Sequence, residues 1–351
     1  MTVFADLITP PRLSKYILYC CLVWSSGFSR VGFGQLPYPP DDPYFPSQKA
    51  LFESLHIQET WEAVRESGLS RRDVIVTVID TGVATQQPDL VGKLLEGRDA
   101  SGSPVPSVED VHGHGTKMTS ITAAGINNGI GIAGIAHRVK IRPIRSSASP
   151  SQGPTLEQAK SAWEIASKLN DSDVIVFAVG WSFEHERSTM FKTVITKAVE
   201  QGNFVVVGAS NENTATGPDE VMLPCSLANS MPGVVCVAAT LTPNPMVLLN
   251  EAALLASFGV PGTEVMVAGI SDEIGQWEYE KTEGSSCATA IVGGIAALMQ
   301  SFKKFKPDVI KEILLNATEG KVKTAKGVEM LYGVLRPDLA VKRAIQLARR
   351  H

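Results

Sequence analysis

Residues 74–82 read VIVTVIDTG, an unbroken apolar and mostly β-branched run that ends in Asp80, Thr81 and Gly82. A run of this kind predicts a β-strand that is covered on both faces, as in parallel sheets flanked by helices. The acid at its end would lie at the carboxyl edge of the sheet, where α/β proteins bind their ligands. This stretch therefore indicates both the fold class and the place to look for chemistry.

A helix pattern precedes this run, and strand and helix patterns alternate after it. Further strands are predicted at 139–144, 174–179, 204–207, 234–239 and 264–267, and helices at 50–67, 114–125, 156–169, 189–201, 286–301, 307–316 and 337–349. This alternation predicts one doubly wound α/β domain with a mainly parallel central sheet flanked by helices. The sequence contains no linker or internal repeat that would divide it.

The composition excludes several classes of protein. The chain has 351 residues, of which 44% are hydrophobic and 19% charged, so it has enough apolar material for a large core. A net charge of −4 argues against a nucleic-acid partner, which a basic surplus would indicate. No apolar run reaches the roughly 20 residues that a membrane span needs. We therefore expect neither nucleic-acid binding nor a membrane span.

The amino-terminal segment has the features of a secretory leader. Arg12 and Lys15 precede the short apolar stretch 16–28, and small residues follow that stretch. The alternatives are a disordered tail and a buried amino-terminal helix. On the leader interpretation the protein is secreted, and we divide the chain into a leader at 1–34, an extended arm at 35–49 and the main domain at 50–351.

Five cysteines are too few for a disulfide scaffold in a chain of this length. Secretion would bring the chain into an oxidising compartment, where Cys225 and Cys236 become candidates for a disulfide bond. We expect Cys287 to be packed as a small hydrophobic residue rather than to act as a redox control point.

Four polar residues lie at predicted strand ends and helix starts. Asp80 ends the first strand, His114 opens a helix after glycine, and Ser286 begins a long apolar helix, near the positive end of its dipole. Acyl transfer needs a nucleophile, a base and an acid that orients the base, and these three residues supply those types. Asn211, after the strand at 204–207, would donate to the developing oxyanion.

The order of these residues and the motifs around them resemble the subtilases, the subtilisin-like serine proteases. Asp80 lies in an Asp-Thr-Gly block, His114 in a His-Gly-Thr block and Ser286 in Gly-Ser-Ser-Cys-Ala, and Asn211 matches the oxyanion asparagine. The resemblance runs from about residue 42 to 347. It implies a secreted serine endopeptidase that cleaves polypeptides through an acyl-enzyme intermediate.

The same resemblance implies a substrate-binding strand and a calcium site. The substrate strand would be Ala178, Val179 and Gly180, which would also form one wall of the pocket beside the scissile bond. The loop 126–132 resembles the calcium loop of the family, since backbone carbonyls, an amide and a carboxylate are hard oxygen ligands for Ca²⁺. By this resemblance the calcium ligands are Asp89, Ile126, Asn128, Ile130 and Ile132.

Two other enzyme classes fit the sequence poorly. Residues 129–134 match G-x-G-x-x-G, but a dinucleotide site needs a strand before this pattern and a helix after it, and here the order is reversed. An α/β-hydrolase esterase carries serine before aspartate before histidine, whereas the order here is Asp80, His114, Ser286.

Several positions depart from the subtilase pattern. Lys117 replaces the second histidine of His-Gly-Thr-His, Trp181 replaces a glycine in the substrate strand, and Ser210 replaces the glycine before the oxyanion asparagine. Trp181 would either narrow the pocket or turn away from it. We also expect no propeptide domain between the leader and Asp42, so either the chain folds without one, a propeptide or inhibitor is supplied in trans, or the sequence is truncated. The alternative function is a catalytically impaired subtilase fold that acts as a binding protein.

Overall fold

The structure is a computed structural model that describes residues 36–211, 222–249, 255–271, 273, 276–324 and 326–350. The predicted leader at 1–34 lies outside the described residues. The helices are α1 Phe45–Ser54, α2 Ile57–Glu66, α3 His114–Ala123, α4 Leu156–Ala166, α5 His185–Glu200, α6 Ser285–Gln300, α7 Pro307–Asn316 and α8 Pro337–Ala348. None of the described helices is long and apolar enough to cross a membrane.

The strands form one large sheet and two small pairs. They are β1 Val74–Asp80, β2 Arg98–Asp99, β3 Val139–Arg145, β4 Val174–Phe177, β5 Trp181–Ser182, β6 Phe204–Gly208, β7 Met222–Leu223, β8 Val234–Thr240, β9 Phe258–Pro261, β10 Val265–Ala268, β11 Tyr279–Thr282, β12 Thr318–Glu319 and β13 Val334–Leu335. The large sheet has the order β12-β13-β9-β8-β6-β4-β1-β3-β2. Its pairs are parallel except for β12 with β13. The predicted parallel, doubly wound sheet is therefore confirmed.

Three expectations about local structure are corrected. The predicted strand at 264–267 is β10, which pairs antiparallel with β11 and lies outside the large sheet. The predicted arm at 35–49 is not extended throughout, because Pro46 in the first turn starts α1 at Phe45. The predicted helix at 50–67 is interrupted at His56, whose φ of 51° is left-handed and separates α1 from α2.

Apolar side chains cover both faces of the large sheet. On one face, Trp163 of α4 and Phe191 of α5 pack with Ile79 of β1 and Phe177 of β4. On the other face, α6 lies against the sheet and is buried along almost its whole length. A Cβ at Gly293 would lie only 2.6 Å from Cγ2 of Val176, so glycine allows α6 to approach β4 this closely. The amino end of α6, which carries Ser286, is fixed relative to the strand ends by this packing.

The predicted disulfide between Cys225 and Cys236 is present. Cys225 begins a short 3-10 helix just after β7, and Cys236 lies in the fully buried strand β8. Both cysteines are buried, so the bond is shielded from solvent. The disulfide therefore attaches the segment after β7 directly to the centre of the sheet.

We predict that removing this disulfide destabilises the fold. The cysteines are 11 residues apart, and closing a loop of that size is worth about 3 kcal/mol through the entropy of the unfolded chain. The double variant Cys225→Ala/Cys236→Ala should lose about that much free energy of unfolding, measured by urea denaturation. Reductant should lower the free energy of unfolding of the native protein but leave that of the double variant unchanged. Equal stability of the two proteins without reductant would contradict the prediction.

Candidate active site

Asp80 and His114 meet at the carboxyl edge of the sheet. Asp80 is the last residue of β1 and His114 the first residue of α3. His114 Nδ1 lies 2.7 Å from Oδ1 of Asp80 and 2.9 Å from Oδ2. Because a carboxylate only accepts hydrogen bonds, Nδ1 carries the proton. This leaves Nε2 of a neutral His114 as the proton acceptor.

Burial and charge act in opposite directions on His114. Desolvation lowers the pKa of the imidazole, but the charge of Asp80 and its hydrogen bond raise it, and Asp110 adds to that effect. The net result is a His114 pKa above its ordinary value. Asp80 itself is almost fully buried, while 29% of the His114 side chain is exposed. The site thus combines a buried acid with an imidazole that solvent and a substrate can reach.

Asp110, to which the sequence analysis assigned no role, holds the turn before α3. Its carboxylate accepts hydrogen bonds from the backbone N–H of His112, Gly113 and Thr116. It also accepts from the hydroxyl groups of Thr81 and Thr116. Burial raises the pKa of Asp110, but these hydrogen bonds outweigh it and leave the pKa below its usual value. An acid shortly before a helix start is the sequence signal that could have indicated this role.

Tight packing between the segment that follows Asp80 and the start of α3 fixes the separation of Asp80 and His114. A Cβ at Gly115 would lie 2.1 Å from the carbonyl oxygen of Gly82 and 3.1 Å from Cβ of Asp80. The first turn of α3 therefore rests directly on the chain that follows β1. This contact explains the glycine that follows His114, whereas Gly82 is required by its own φ of 115° and by the Val108 carbonyl oxygen, 2.5 Å from where its Cβ would lie.

Ser286 lies in the first turn of α6, which packs beside α3. The Thr122 hydroxyl of α3 donates to the carbonyl of Ala290 in α6 at 2.9 Å. The Ser286 hydroxyl donates to the Ala178 carbonyl at 3.4 Å, and no hydrogen bond between Ser286 and His114 is formed in the described part of the chain. Rotation about the Cα–Cβ bond redirects a serine hydroxyl, and catalytic hydrogen bonds often tighten only when substrate binds.

Asn211 is held against the start of α6. The backbone N–H of Ser285 donates to Oδ1 of Asn211 at 2.8 Å. Gly284, with φ of 131°, leaves room for this contact, because a Cβ there would lie 3.2 Å from Nδ2 of Asn211. The amide is therefore oriented by the same helix end that carries Ser286.

The substrate strand predicted from the resemblance continues from β4 beside Ser286. Ala178 and Val179 are half-buried, and Gly180 is exposed. Trp181, the bulky replacement, stacks on Phe177 with ring centres 6.0 Å apart and packs on Phe191 at 5.5 Å. The half-buried indole of Trp181 thus packs against the core cluster of α4 and α5.

Two other residues near the site have surroundings of their own. Lys117, at the position of a family histidine, forms an ion pair with Glu280 of β11. Cys287 is buried, and burial raises the pKa of its thiol to about 12. A protonated, buried thiol behaves as a small hydrophobic residue, as the sequence analysis expected.

The five residues assigned to a calcium site lie around Asp89. The Asn128 amide donates to Oδ1 of Asp89 at 3.2 Å, and the Ile132 N–H donates to Oδ2 at 2.8 Å. The loop passes so close that a Cβ at Gly131 would lie 2.0 Å from Oδ2. Burial raises the pKa of Asp89 to about 6, because these hydrogen bonds only partly compensate for the lost solvation.

The donor set of this loop suits a hard cation. Among the described residues, no hydrogen bond is made to the carbonyl oxygens of Ile126, Ile130 or Ile132. The buried Asp89 carboxylate and the three free carbonyl oxygens of the loop that contacts it fit the oxygen chemistry of Ca²⁺. No group of three or more His, Cys, Asp or Glu side chains able to hold a metal occurs in the described ranges, so main-chain oxygens would have to dominate such a site.

Comparison with known proteins agrees with this geometry. The model of the subtilase family matches residues 71–334. Thermitase from Thermoactinomyces vulgaris is 28% identical over 273 residues, which is 75% of this chain and 86% of thermitase. Subtilisin from Bacillus pumilus is 30% identical over 244 residues, or 68% of this chain and 81% of that subtilisin. This chain covers a smaller share, 58%, of subtilisin E from Bacillus subtilis.

Solved structures show the same fold. A protease structure from Pseudoalteromonas arctica covers 87% of this chain and 99% of its own, with a TM-score of 0.68 at 24% identity. Fervidolysin from Fervidobacterium pennivorans covers 86% of this chain and 46% of its own, with a TM-score of 0.67 at 23% identity. The family match spans most of the chain, including Asp80, His114 and Ser286. The chain therefore belongs to the subtilase family and is a serine-type peptidase.

Proposed function

We propose that the chain is a secreted serine endopeptidase in which Asp80, His114 and Ser286 act as a catalytic triad. The observation that carries this proposal is the double contact of His114 Nδ1 with the buried Asp80 carboxylate, on a helix that packs beside the helix carrying Ser286. A serine hydroxyl needs a base, and a buried acid keeps that base in the required tautomer. Secretion is supported by the leader pattern in the sequence and by the disulfide.

In the proposed mechanism, Ser286 Oγ attacks the carbonyl carbon of a substrate peptide bond. His114 Nε2 takes the hydroxyl proton, and the same proton then passes to the leaving amine as the peptide C–N bond breaks. Water, deprotonated by His114, hydrolyses the resulting ester and regenerates Ser286. Asp80 stabilises the imidazolium in both halves of the reaction. The developing oxyanion is bound by the Asn211 amide and the Ser286 backbone N–H, near the positive end of the α6 dipole.

An extended polypeptide suits the edge formed by Ala178, Val179 and Gly180. Gly180 is exposed, and the strand ends beside Ser286, whose hydroxyl contacts the Ala178 carbonyl. A substrate that adds as a strand along this edge would be held by main-chain hydrogen bonds. Polypeptides are therefore the proposed substrate class.

We further propose that Ca²⁺ binds at Asp89, Ile126, Asn128, Ile130 and Ile132 and stabilises the fold. The support is the buried Asp89 carboxylate beside the loop 126–132, in which the carbonyl oxygens of Ile126, Ile130 and Ile132 accept no hydrogen bond from the described residues. The bound cation would supply charge that compensates this carboxylate, and Asp89 would hold it together with the loop backbone.

The first prediction from the proposed function tests whether Ser286 is the nucleophile. A fluorophosphonate probe should label the mature protein, and Ser286→Ala should abolish labelling because the attacking oxygen is removed. Ser285→Ala is the matched control, since Ser285 is the buried neighbour whose hydroxyl accepts from the Ala239 N–H. Labelling should survive in that control. An unlabelled wild type, or a labelled Ser286→Ala, would instead favour the catalytically impaired binding protein.

The second prediction concerns the pH dependence. His114 must be neutral to act as a base, and its pKa is raised, so kcat/KM should rise with pH through an inflection above about 6.5, the ordinary histidine value. Asp80→Asn removes the charge that raises this pKa. The inflection should move to lower pH, and kcat should fall by roughly 10⁴. An unchanged inflection in the variant would show that Asp80 does not govern His114.

The third prediction concerns calcium. Ca²⁺ at about 100 times its dissociation constant should add about 2.7 kcal/mol to the free energy of unfolding. Calorimetry with Ca²⁺ and with a chelator should show this as a higher Tm. Asp89→Asn should lose the Ca²⁺ response, whereas Asp308→Asn, an exposed acid at the start of α7, should keep it. A Ca²⁺ response retained by Asp89→Asn would refute the assignment of this ligand.

A further inference from the structure

Two three-residue stretches of the chain have the acceptor pattern for N-linked glycosylation, which is asparagine, any residue except proline, then serine or threonine. They are Asn-Asp-Ser at 170–172 and Asn-Ala-Thr at 316–318, and we call them the Asn170 stretch and the Asn316 stretch. The proposed cleavage mechanism uses neither of them. An N-linked glycan is bulky and polar, so it needs an asparagine that the folded protein leaves in solvent.

The Asn316 stretch lies at the free edge of the large sheet. Asn316 is the last residue of α7 and is exposed, and its side chain makes no hydrogen bond to the part of the chain that the structure describes. Thr318 begins β12, the outermost strand at that edge, which pairs with β13. Thr318 is half-buried, and its hydroxyl donates to the Leu315 carbonyl at 3.1 Å. A glycan on Asn316 would therefore extend into solvent without displacing a described contact of that side chain.

The Asn170 stretch leads into the centre of the same sheet. Asn170 is exposed, but Ser172 is fully buried, and its hydroxyl lies 2.9 Å from that of Thr77 in β1. The Asp171 carboxylate accepts two hydrogen bonds from the Arg142 guanidinium, at 2.6 and 2.8 Å. The acceptor pattern requires a hydroxyl at its third position. Because the Ser172 hydroxyl is buried and hydrogen-bonded, the folded chain makes this stretch the poorer acceptor.

A glycan at Asn316 would leave the proposed active site free. In the large sheet, β12 is separated by six strand spacings from β1, which carries Asp80. At about 4.8 Å for each spacing, this is roughly 29 Å along the sheet. The proposed substrate strand follows β4, which is five spacings from β12. Modification at this edge is therefore compatible with cleavage of a polypeptide at the active site.

We propose that Asn316 is a site of N-linked glycosylation and that Asn170 is not. The inference rests on the secretion that is part of the proposed function, because the sugar donor, a lipid pyrophosphate-linked oligosaccharide, belongs to the secretory pathway. In the transfer, the side-chain nitrogen of Asn316 forms a bond to the anomeric carbon of the oligosaccharide and loses one proton. The bond from that carbon to the pyrophosphate oxygen breaks, and the lipid pyrophosphate leaves with the bonding electrons.

The test is expression of the full chain in a eukaryotic cell line, followed by treatment of the secreted protein with a peptide N-glycosidase. The treated wild type should migrate faster on a denaturing gel than the untreated protein. Mass spectrometry should find aspartate at position 316, since this glycosidase leaves aspartate where it releases a glycan. Asn316→Gln should migrate like the treated wild type, with or without the glycosidase. A mobility shift that persists in Asn316→Gln would overturn the proposal.

Three further variants test the acceptor pattern itself. Thr318→Val keeps Asn316 and the shape of residue 318 but removes the hydroxyl, so the mobility shift should be lost. Thr318→Ser keeps the hydroxyl and should retain the shift. Asn170→Gln should retain the full shift, because the buried Ser172 makes that stretch the poorer acceptor. A shift retained by Thr318→Val, or reduced by Asn170→Gln, would contradict the proposal.

Two measurements on the wild type separate failure of this inference from failure of the proposed function. They are its presence in the medium and its labelling by a fluorophosphonate. A wild type that is secreted and labelled but shows no mobility shift would overturn the glycosylation site and leave the peptidase mechanism standing. A wild type that stays inside the cell and shows no shift would refute secretion, and the glycosylation site with it.

Discussion

The contact between the Asp80 carboxylate and the His114 imidazole depends on where two secondary-structure elements end and begin. β1 must stop at Asp80 and α3 must start at His114 for Nδ1 to lie 2.7 Å from the acid. The parallel sheet brings its strand ends to one edge, and Asp110 holds the turn that leads into α3 through five hydrogen bonds from four residues. The proposed proton transfer depends on this placement of His114, because only an imidazole held in one orientation presents Nε2 toward a hydroxyl.

The remaining elements add to the same edge in layers. α6 packs across the sheet and brings Ser286 beside α3, and Asn211 follows β6 and is held by the Ser285 N–H. β7 pairs with β5, which follows the proposed substrate strand, and the disulfide at Cys225 comes directly after β7. Each layer is positioned by buried packing within the sheet–helix framework. The side chains of His114, Ser286 and Asn211 remain partly accessible, which suits the proposed cleavage of polypeptides.

Local sequence patterns predicted the parts of this structure that depend on local chemistry. The β-branched run at 74–79 indicated a buried strand, and the acid, histidine, serine and asparagine were found from their positions at strand ends and helix starts. The sequence did not predict that Trp181 packs into the core cluster or that the methyl group of Met222 lies against Gly180. Both depend on the pairing of β5 with β7, two-residue strands that periodicity cannot detect. Likewise, the left-handed His56 that separates α1 from α2 has no local signature in a stretch that is otherwise typical of helix.

The central claim is that Ser286 transfers its proton to His114 while Asn211 binds the oxyanion. A crystal structure of the protein after reaction with a fluorophosphonate measures this most directly. We expect a covalent bond between Ser286 Oγ and the phosphorus atom. His114 Nε2 should lie within about 3.2 Å of an oxygen of the adduct. A phosphonyl oxygen should lie about 2.7–3.1 Å from Nδ2 of Asn211. An adduct on another residue, or one on Ser286 with His114 and Asn211 both outside hydrogen-bonding distance, would contradict this claim.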